Sequence, residues 1–337
     1  MGVAETARLE SARITVATSS SANEPLRLVE LPRPALGPRD VRVKVRAIGV
    51  NPVDWKMRSG GPLRFAHRFV GPRGPLVVGV DFAGDVLEAG PQADLAVATR
   101  VVGATDFSRG QRGSYATEVV VRDDQCARLS DGVSYDAAAC LPVPGATALR
   151  SFAIASLAYP GPTDARILVL GASGGVGLVT LALARHAGMK AVGVCSKRNV
   201  GVVERHGAVA IDYAEGDPLS HAREHGPYDL ILHAVGTATY PLGRCRKLLS
   251  ARGMVALAVV RPADVPAMFM LRTVKSVLGR PNRENLEPLV SALAEGAIEP
   301  IIEARFPLGE AERAHTISRA GKVVGKLLLV PDEGDTP

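Results

Sequence analysis

The stretch Ile167–Gly177, which reads Ile-Leu-Val-Leu-Gly-Ala-Ser-Gly-Gly-Val-Gly, decides the fold of this chain. Its first four residues predict a short buried strand, and its glycines predict a tight turn after that strand. A helix is predicted from Leu178 to Ala187, where Leu, Val and Ala recur at helical spacing. Strand, glycine turn and helix together suit a dinucleotide pyrophosphate, because N–H groups at the helix start face the phosphates and the helix dipole favours their charge.

The turn fits the dinucleotide fingerprint G-x-G-x-x-G, with Ala172 where the first glycine usually stands. The residues predicted to bind the pyrophosphate are therefore Ala172, Ser173, Gly174, Gly175, Val176 and Gly177. A tight turn without a ligand is the alternative. The absence of charge from Ile167 to Ala184 also invites a membrane interpretation, but the glycines and the strand-turn-helix pattern favour a buried unit.

Composition narrows the class of protein. A chain of 337 residues predicts two domains, and 47% hydrophobic with 22% charged residues is ordinary for a soluble enzyme. The net charge of +6 comes from scattered Lys and Arg, and with 4% aromatic residues it gives nucleic-acid binding little support. Cys126, Cys140, Cys195 and Cys245 have no metal or redox spacing, and no apolar signal segment follows Met1. We expect free thiols and a cytoplasmic location.

The hydrophobic periodicity changes along the chain. Alternating apolar residues separated by Pro/Gly-rich turns predict a small, twisted, mostly antiparallel barrel in the first part. From Arg166 onward, short apolar strands alternate with helices, which predicts an α/β fold with a doubly wound parallel sheet. The strand predicted at Lys322–Val330 returns to the first domain. The predicted domains are thus 1–134 with 283–337, and 135–282 as the dinucleotide-binding domain.

The segment after the second strand of the parallel sheet indicates which cofactor is used. An NAD site places an acid there for the ribose 2′-hydroxyl, whereas this chain has Ser196, Lys197 and Arg198. A hydroxyl and two cations suit a 2′-phosphate, so the predicted cofactor is NADP(H). Tyr213, at the end of the third strand, is predicted to cover the adenosine phosphate. A solvated basic turn and an edge tyrosine are the alternatives.

Several further segments occur in the order typical of one family. They are Gly49–Lys56, Gly79–Gly84, Leu141–Leu149, Tyr228–Leu232 and Gly321–Lys326, with the glycine turn between the third and fourth. On these residues the chain resembles the zinc-independent, quinone oxidoreductase-like branch of the medium-chain dehydrogenase/reductase superfamily, from about residue 13 to 330. The resemblance implies a GroES-like β-barrel catalytic domain joined to a Rossmann domain, with the active site in the cleft between them. Members are commonly homodimers.

The resemblance also implies roles for individual residues. Asn51 and Thr147 would lie near the nicotinamide end of NADP(H). The loops after Leu232 and Leu257, which contain Val235 and Ala258, would line the nicotinamide ribose. Lys326, on the returning strand, would contact the cofactor.

The chain departs from zinc-containing relatives at each ligand position. Those relatives have Cys where Asn51 stands and a His-Glu pair where Val80 and Asp81 stand, and they carry a four-cysteine lobe that is missing here. We therefore predict no metal site. Lys56 stands where some quinone reductases have Tyr, and His233 stands where Asp or Asn is frequent.

Without a Lewis acid, hydride transfer favours acceptors that are already electrophilic, such as conjugated enones, enals and quinones. Asn51 is a candidate for holding cofactor or substrate in register. Lys56 is a candidate donor to a developing enolate, or else a surface lysine. Asp54 is a candidate for orienting Lys56, or else makes a structural hydrogen bond.

Three functions follow as hypotheses. The first is an NADPH-dependent reductase of an activated C=C bond or a quinone, acting on a small molecule. The second is a tailoring reductase for a biosynthetic enoyl intermediate, suggested by the Gly-, Pro- and Arg-rich loop Ser59–Pro75 and by His233. The third is a protein that binds NADPH without catalysis. Neither a nucleic acid nor a membrane is an expected partner.

Overall fold

The computed structural model describes residues 13–19, 24–59, 74–161 and 164–331, and for the first strand it describes the side chains of residues 16–18 only. Contacts divide the chain into two units. The first unit takes its described residues from Met1–Pro142, Pro281–Val290 and Ile302–Pro337, and the second from Val143–Arg280 and Ser291–Ile301. The predicted domain limits, 1–134 with 283–337 and 135–282, stay a prediction.

The first unit is built mainly from strands. They are β1 (Arg13–Ser19), β2 (Arg27–Pro32), β3 (Asp40–Gly49), β4 (Leu76–Val77), β5 (Asp81–Ala89), β6 (Arg100–Ala104), β7 (Glu118–Arg122), β8 (Cys126–Arg128), β15 (Ile302–Pro307) and β16 (Lys326–Val330). Its helices are α1 (Pro52–Arg58), α2 (Tyr135–Ala139) and α10 (Ala311–Arg319), with the first part of α9 (Arg283–Ala294).

Two sheets enclose the core of this unit. One has the order β2-β1-β4, and the other has the order β15-β16-β3-β5-β6-β8, with β7 also paired to β3. Nearly all of these pairs are antiparallel, as the alternating pattern predicted; β15 and β16 are parallel. Most of strand β3 is buried, and its apolar side chains belong to the core formed around Val43, Phe82 and Leu329.

The second unit alternates strands and helices. Its strands are β9 (Arg166–Leu170), β10 (Lys190–Cys195), β11 (Ala208–Asp212), β12 (Tyr228–His233), β13 (Leu249–Leu257) and β14 (Val274–Ser276). Its helices are α3 (Pro142–Ile154), which begins at the last residue of the first unit, α4 (Gly175–His186), α5 (Val200–Arg205), α6 (Pro218–Arg223), α7 (Leu242–Arg246) and α8 (Val265–Met270).

The six strands of this unit form one parallel sheet in the order β11-β10-β9-β12-β13-β14. This confirms the predicted α/β class and the parallel sheet. The chain runs outward from β9 to β11 and then crosses back to β12, so the strand order reverses between β9 and β12. In such sheets ligands bind outside the carboxyl ends of the strands at this reversal. Among the described helices, none has the length and apolar character needed to cross a membrane.

Candidate functional site

The glycine turn lies at the reversal of strand order. Gly171 adopts φ +91°, a conformation that favours glycine, and Gly174 is the N-cap of α4 in extended conformation. Helix α4 begins at Gly175, three residues before the predicted start. The amides of its first turn have no acceptor within the helix, so they are available to an anion.

Two glycines of the turn have distinct roles. A Cβ atom at Gly177 would lie 2.5 Å from the carbonyl oxygens of both Gly171 and Ala172, so only glycine permits this close packing of helix and strand. At Gly174 the nearest atom to an added Cβ would be the Gly171 oxygen at 3.6 Å, which leaves open space beside the turn. This arrangement fits a dinucleotide pyrophosphate.

The residues predicted for the 2′-phosphate lie at the ends of neighbouring strands. The Tyr213 amide donates to the Cys195 carbonyl at 3.0 Å, which brings Tyr213 beside Ser196. Tyr213 is exposed, and Lys197 is exposed with its Nζ 3.7 Å from Glu215. An ion pair this exposed is weak, so Lys197 can exchange Glu215 for a bound phosphate. Arg198 is also exposed.

The loops after β12 and β13 approach the glycine turn from the other side. Val235 is exposed, and its Cγ1 lies 2.7 Å from the position of a Cβ at Gly171. The Ala258 amide donates to the His233 carbonyl at 3.1 Å. The structure therefore brings both predicted loop residues to the carboxyl ends of the strands next to the reversal.

His233 is fully buried at the end of β12. Its Nε2 lies 2.9 Å from the Tyr240 carbonyl oxygen, so this nitrogen carries the proton and donates it. Its Nδ1 is buried and has no hydrogen-bond partner in the described part of the chain. Burial lowers the pKa of His233, so the ring is neutral at neutral pH.

Thr147 lies in the second turn of α3 and is buried. Its hydroxyl donates to the Val143 carbonyl at 2.7 Å, which leaves the oxygen lone pairs as acceptors. Gly279 packs directly on it, since a Cβ there would lie 2.5 Å from the Thr147 amide nitrogen. Thr147 and the segment after β14 thus meet within the second unit.

A buried network in the first unit surrounds Asn51, the N-cap of α1. The Asn51 Nδ2 donates to Asp81 at 2.8 Å and to the Gly49 carbonyl at 3.2 Å. The Lys326 ammonium donates to Asn51 Oδ1 at 2.8 Å and to the Val50 carbonyl at 3.0 Å, and lies 3.4 Å from Asp81 Oδ2. All of its hydrogens have acceptors here. Lys326 therefore orients the Asn51 amide and balances the Asp81 charge.

The network continues from Asp54 to His315. Asp54 Oδ2 accepts the Asn51 amide at 2.7 Å and the Tyr115 hydroxyl at 3.2 Å. The same hydroxyl lies 3.0 Å from His315 Nε2. Asp54 Oδ1 and His315 Nδ1 are both buried, and neither has a hydrogen-bond partner within the described ranges. Asp54 thus joins the Asn51 backbone to a buried tyrosine–histidine pair.

Burial sets the ionisation states of Asp54 and His315. Desolvation raises the pKa of Asp54 to about 7, and the nearby Asp81 charge adds to that effect. The Asn51 amide, the Lys326 ammonium and the Tyr115 hydroxyl oppose it without cancelling it. Desolvation likewise lowers the pKa of His315 to about 4. Near pH 5.5 the Asp54 carboxyl is therefore protonated and the His315 imidazole is neutral, whereas in water the carboxyl would be ionised and the imidazole protonated.

Lys56 lies apart from this network. Its Nζ is 5.4 Å from the centre of the Trp55 ring, and it is half-buried on α1, which lowers its pKa. The Asp54 carboxylate contacts Asn51 and Tyr115 instead. The structure thus joins Asn51 and Asp54 but does not bring Lys56 to them.

The remaining question at this site is whether side chains that bind metals lie together. In the part of the chain that the structure describes, no three His, Cys, Asp or Glu side chains converge on one point. The four cysteines are free and buried.

Sequence reasoning missed Tyr115 and His315. Tyr115 lies 61 residues from Asp54 and 200 residues from His315, and no local motif joins them. Asp81 lies in the segment Gly79–Gly84 and was noted only as a departure from zinc ligation. Its link to Lys326 spans 245 residues, so only the folded chain reveals it.

Comparisons with known proteins agree with this architecture. The family profile described as "Alcohol dehydrogenase GroES-like domain" matches residues 37–131, and the profile described as "Zinc-binding dehydrogenase" matches residues 206–329. The "Chloroplast envelope quinone oxidoreductase homolog" of Arabidopsis thaliana is 29% identical, covering 90% of this chain and 93% of its own. The "Trans-enoyl reductase pgmF" of Aspergillus terreus is 27% identical and covers 88% of each chain. The solved quinone oxidoreductase of Coxiella burnetii is 26% identical with a TM-score of 0.82, covering 95% of this chain and 99% of its own.

Proposed function

The chain belongs to the medium-chain dehydrogenase/reductase superfamily, of the quinone oxidoreductase-like kind, and we propose that it is an NADPH-dependent oxidoreductase that reduces an activated C=C bond or a quinone without zinc. The observation that carries this proposal is the glycine turn at the reversal of strand order, with an acid-free cationic segment at Ser196–Arg198. A nicotinamide dinucleotide fits the first feature, and a 2′-phosphate fits the second.

The Asn51 network supports the absence of zinc. Asn51 and Asp81 stand where the zinc-containing relatives have a Cys and a Glu, as noted above. Here the Lys326 ammonium occupies the space between their oxygens, with its Nζ 2.8 Å from Asn51 and 3.4 Å from Asp81. A divalent cation at this point would meet a buried positive charge, which is unfavourable at so short a distance. The description of one matching profile as zinc-binding therefore does not extend to these residues.

The chemistry follows from the acceptor. A bound reduced nicotinamide supplies a hydride, that is, a proton with two electrons. On an enone that hydride would add to the β carbon while the C=C π pair shifts toward the carbonyl oxygen, and water would then protonate the α carbon. On a quinone the hydride and one proton would give the hydroquinone, and in both cases the oxidised nicotinamide would be left. The chain must hold the acceptor, exclude water and stabilise the negative oxygen.

We assign roles to the candidate residues on this basis. Asn51 meets the acceptor or the nicotinamide amide through the second lone pair of its Oδ1, because both of its N–H donors and the first lone pair are engaged by buried partners. Lys326 and Asp54 position Asn51. Val235, Ala258 and Thr147 contact the nicotinamide half of the cofactor. Lys56 carries a lowered pKa and is an accessory donor at most, because it lies over Trp55.

The direct test mixes purified protein and NADPH with a panel of enones, enals and quinones and follows NADPH absorbance. Oxidation above background for at least one acceptor class is expected. A trans-enoyl thioester belongs in the panel, because one relative is named a trans-enoyl reductase; selective turnover of that compound favours the tailoring hypothesis. Tight NADPH binding without turnover of any acceptor favours the non-catalytic hypothesis and counts against the proposal.

Cofactor preference gives a sharper prediction. Ser196→Asp places a carboxylate where the 2′-phosphate is proposed to bind, so the Kd for NADPH should rise about 100-fold by like-charge repulsion. Lys197→Ala should raise it about 10-fold, because one charge-assisted hydrogen bond is lost. The Kd for NADH should change less than twofold in Lys197→Ala and should stay equal or fall in Ser196→Asp, because an acid at this position accepts a hydrogen bond from the ribose 2′-hydroxyl. Calorimetry measures all four values.

Lys190→Ala is the matched control, because Lys190 is exposed at the opposite end of the same strand β10. Its Kd for NADPH should equal that of the wild type. Equal affinity of the wild type for NADH and NADPH would contradict the assignment of NADP(H).

We also propose a homodimer, formed at the β14 edge of the parallel sheet. Strand β14 is last in the strand order, and Phe269, Met270 and Leu278 beside it are 86%, 80% and 66% exposed. Exposed edges with apolar neighbours favour pairing with another chain. The four free, buried thiols support a reducing compartment, and we propose a cytoplasmic location.

The dimer predicts a change of mass in solution. The double variant Phe269→Ser/Met270→Ser should shift the protein from two chains to one in size-exclusion chromatography with light scattering. Val209→Ser is the control, since Val209 is exposed on β11 at the opposite edge of the sheet. A monomeric wild type, or a dimer that survives the double substitution, contradicts the proposed interface.

A further inference from the structure

Arg261, Thr237 and Asp264 form a polar cluster in the segments that follow β12 and β13. The proposed reaction does not involve this cluster. The Thr237 hydroxyl donates to Asp264 Oδ1 at 2.5 Å, and the Arg261 Nε donates to the Thr237 oxygen at 3.0 Å. Asp264 Oδ2 accepts the Arg261 backbone amide at 2.9 Å. Thr237 and Asp264 are buried. The Nε side of the Arg261 guanidinium is therefore fixed by the buried side chains of Thr237 and Asp264.

The contacts with Thr237 and Asp264 are made by the Nε and the backbone amide of Arg261, not by its two terminal amino groups. The Arg261 side chain is 42% exposed, and its two terminal amino groups donate no hydrogen bond to any residue that the structure describes. Burial alone would raise the pKa of Asp264, but hydrogen bonds from Thr237 and the Arg261 amide hold it below its ordinary value. The ionised Asp264 lies on the Nε side at 3.7 Å. The two terminal amino groups remain free to form a paired contact with an anion.

The position of Arg261 indicates which ligand it meets. Ser196 and Tyr213, on the β10 and β11 side of the reversal, are proposed to take the adenosine 2′-phosphate. A dinucleotide that crosses the reversal places its nicotinamide half over the ends of β12 and β13. Arg261 is three residues beyond Ala258, which follows β13 and is held by the His233 carbonyl of β12. The Arg261 backbone therefore lies on the side of the reversal that is proposed for the nicotinamide half.

We propose that Arg261 binds an anionic group of the acceptor, a carboxylate or a phosphate, and that Thr237 positions it. This inference rests on the proposed reductase function and narrows its substrate class to acceptors that carry a negative charge away from the reducible bond. The end of a guanidinium binds two oxygens of such a group at once, which gives geometric specificity as well as affinity. A neutral small quinone would not use this contact.

The test compares two acceptors of the same skeleton, cinnamaldehyde and 4-carboxycinnamaldehyde. In Arg261→Gln, kcat/KM for the carboxylated acceptor should fall at least 10-fold, while that for cinnamaldehyde stays within twofold. Arg261→Lys should recover part of the loss, since it keeps the charge but not the paired geometry. A third acceptor with a 4-phosphate ester distinguishes the two anions, because the preferred one loses more. An equal loss on charged and neutral acceptors, or no loss on any, overturns the proposal.

Thr237 needs its own readout. Thr237→Val removes the hydroxyl with little change of shape, so KM for 4-carboxycinnamaldehyde should rise about threefold or more at unchanged kcat. Thr237→Ser should restore the wild-type value. A fall in kcat for both acceptors in Thr237→Val would indicate a merely structural role and contradict positioning.

A binding measurement separates this inference from the reaction itself. Calorimetry of NADPH-loaded protein with 4-ethylbenzoate, which cannot be reduced, should show affinity about 10-fold weaker in Arg261→Gln than in the wild type. The Kd for NADPH should be the same in both. If Arg261→Gln weakens NADPH instead, Arg261 contacts the cofactor and the inference is wrong. If 4-ethylbenzoate behaves as expected but no acceptor is reduced, the anion-binding site at Arg261 stands, and the reductase proposal fails together with the assignment of that site to an acceptor.

Discussion

Lys326→Met should lower the free energy of unfolding by about 3 to 5 kcal/mol, the usual cost of leaving one partner of a buried ion pair alone. Asp81 is fully buried, and the Lys326 ammonium is 3.4 Å from its Oδ2. Methionine fills a similar volume without the charge, so the deficit reflects electrostatics and lost hydrogen bonds rather than a cavity. Urea denaturation at pH 7.5 measures the change.

The double variant Asp81→Asn/Lys326→Met is the control. It removes both charges, so it should recover at least half of the lost stability, because no buried carboxylate is left uncompensated. The Asn51 amide loses its Lys326 donor in both variants, so reductase activity should stay low even where stability returns. A single variant as stable as the wild type would show that the ammonium does not balance Asp81.

The second large effect is the pH dependence of stability in Asp54 and His315 variants. Asp54 has its pKa raised to about 7 in the folded state, so it contributes stability that is fully present below its unfolded pKa of 3.8 and is lost as pH rises through 7. His315 has its pKa lowered to about 4, so its contribution is present above the unfolded pKa of 6.5 and is lost as pH falls toward 4. Between pH 4 and 6.5 the two slopes oppose each other and nearly cancel.

Single variants expose each slope. In His315→Gln the free energy of unfolding should fall by about 3 kcal/mol relative to wild type between pH 4 and 6.5, because a tenfold change in an ionisation constant is worth about 1.4 kcal/mol. In Asp54→Asn it should rise by about 3 kcal/mol relative to wild type between pH 4 and 6.5. Urea denaturation at half-unit pH steps gives both curves. Differences from wild type remove the contribution of carboxylates elsewhere, such as Asp123 and Glu312.

Tyr115→Phe tests whether the pair is coupled through the hydroxyl. The Tyr115 hydroxyl lowers the pKa of Asp54, so its loss should move the Asp54 titration to higher pH without changing the sign of the slope. Parallel curves for Asp54→Asn, His315→Gln and wild type would contradict the inverted protonation of this pair. They would also show that both groups are more hydrated than the structure indicates.

The fold was predictable because it depends on local patterns. Apolar runs bounded by glycine predicted the strands of the parallel sheet, and Gly174 and Gly177 predicted the turn that the structure places at the reversal of strand order. The cationic segment that begins at Ser196 was located in the same way, as the residues after the second predicted strand of the sheet. The start of α4 was predicted three residues late, because the glycines of its first turn have low helix propensity and tertiary packing of Gly177 overrides it.

The candidate catalytic residues were predictable only in part. Asn51 and Asp54 both lie in the segment Gly49–Lys56, and the capping hydrogen bond between them is local. Lys56 stands in the same segment, but its position on α1 directs it over Trp55. Sequence proximity therefore did not tell which of the three share an environment, since one residue along a helix turns a side chain by about 100°.

The sequence by itself determined the parallel sheet, the glycine turn and the charge of the segment after β10, because strand propensity, glycine geometry and charge are properties of neighbouring residues. Only the tertiary structure decided that Lys326 and Asp81 neutralise each other beside Asn51, that Asp54 and His315 exchange their usual ionisation states, and that Thr237 and Asp264 hold Arg261. Burial and through-space charge set those properties, and both arise from residues that the fold brings together across long stretches of chain.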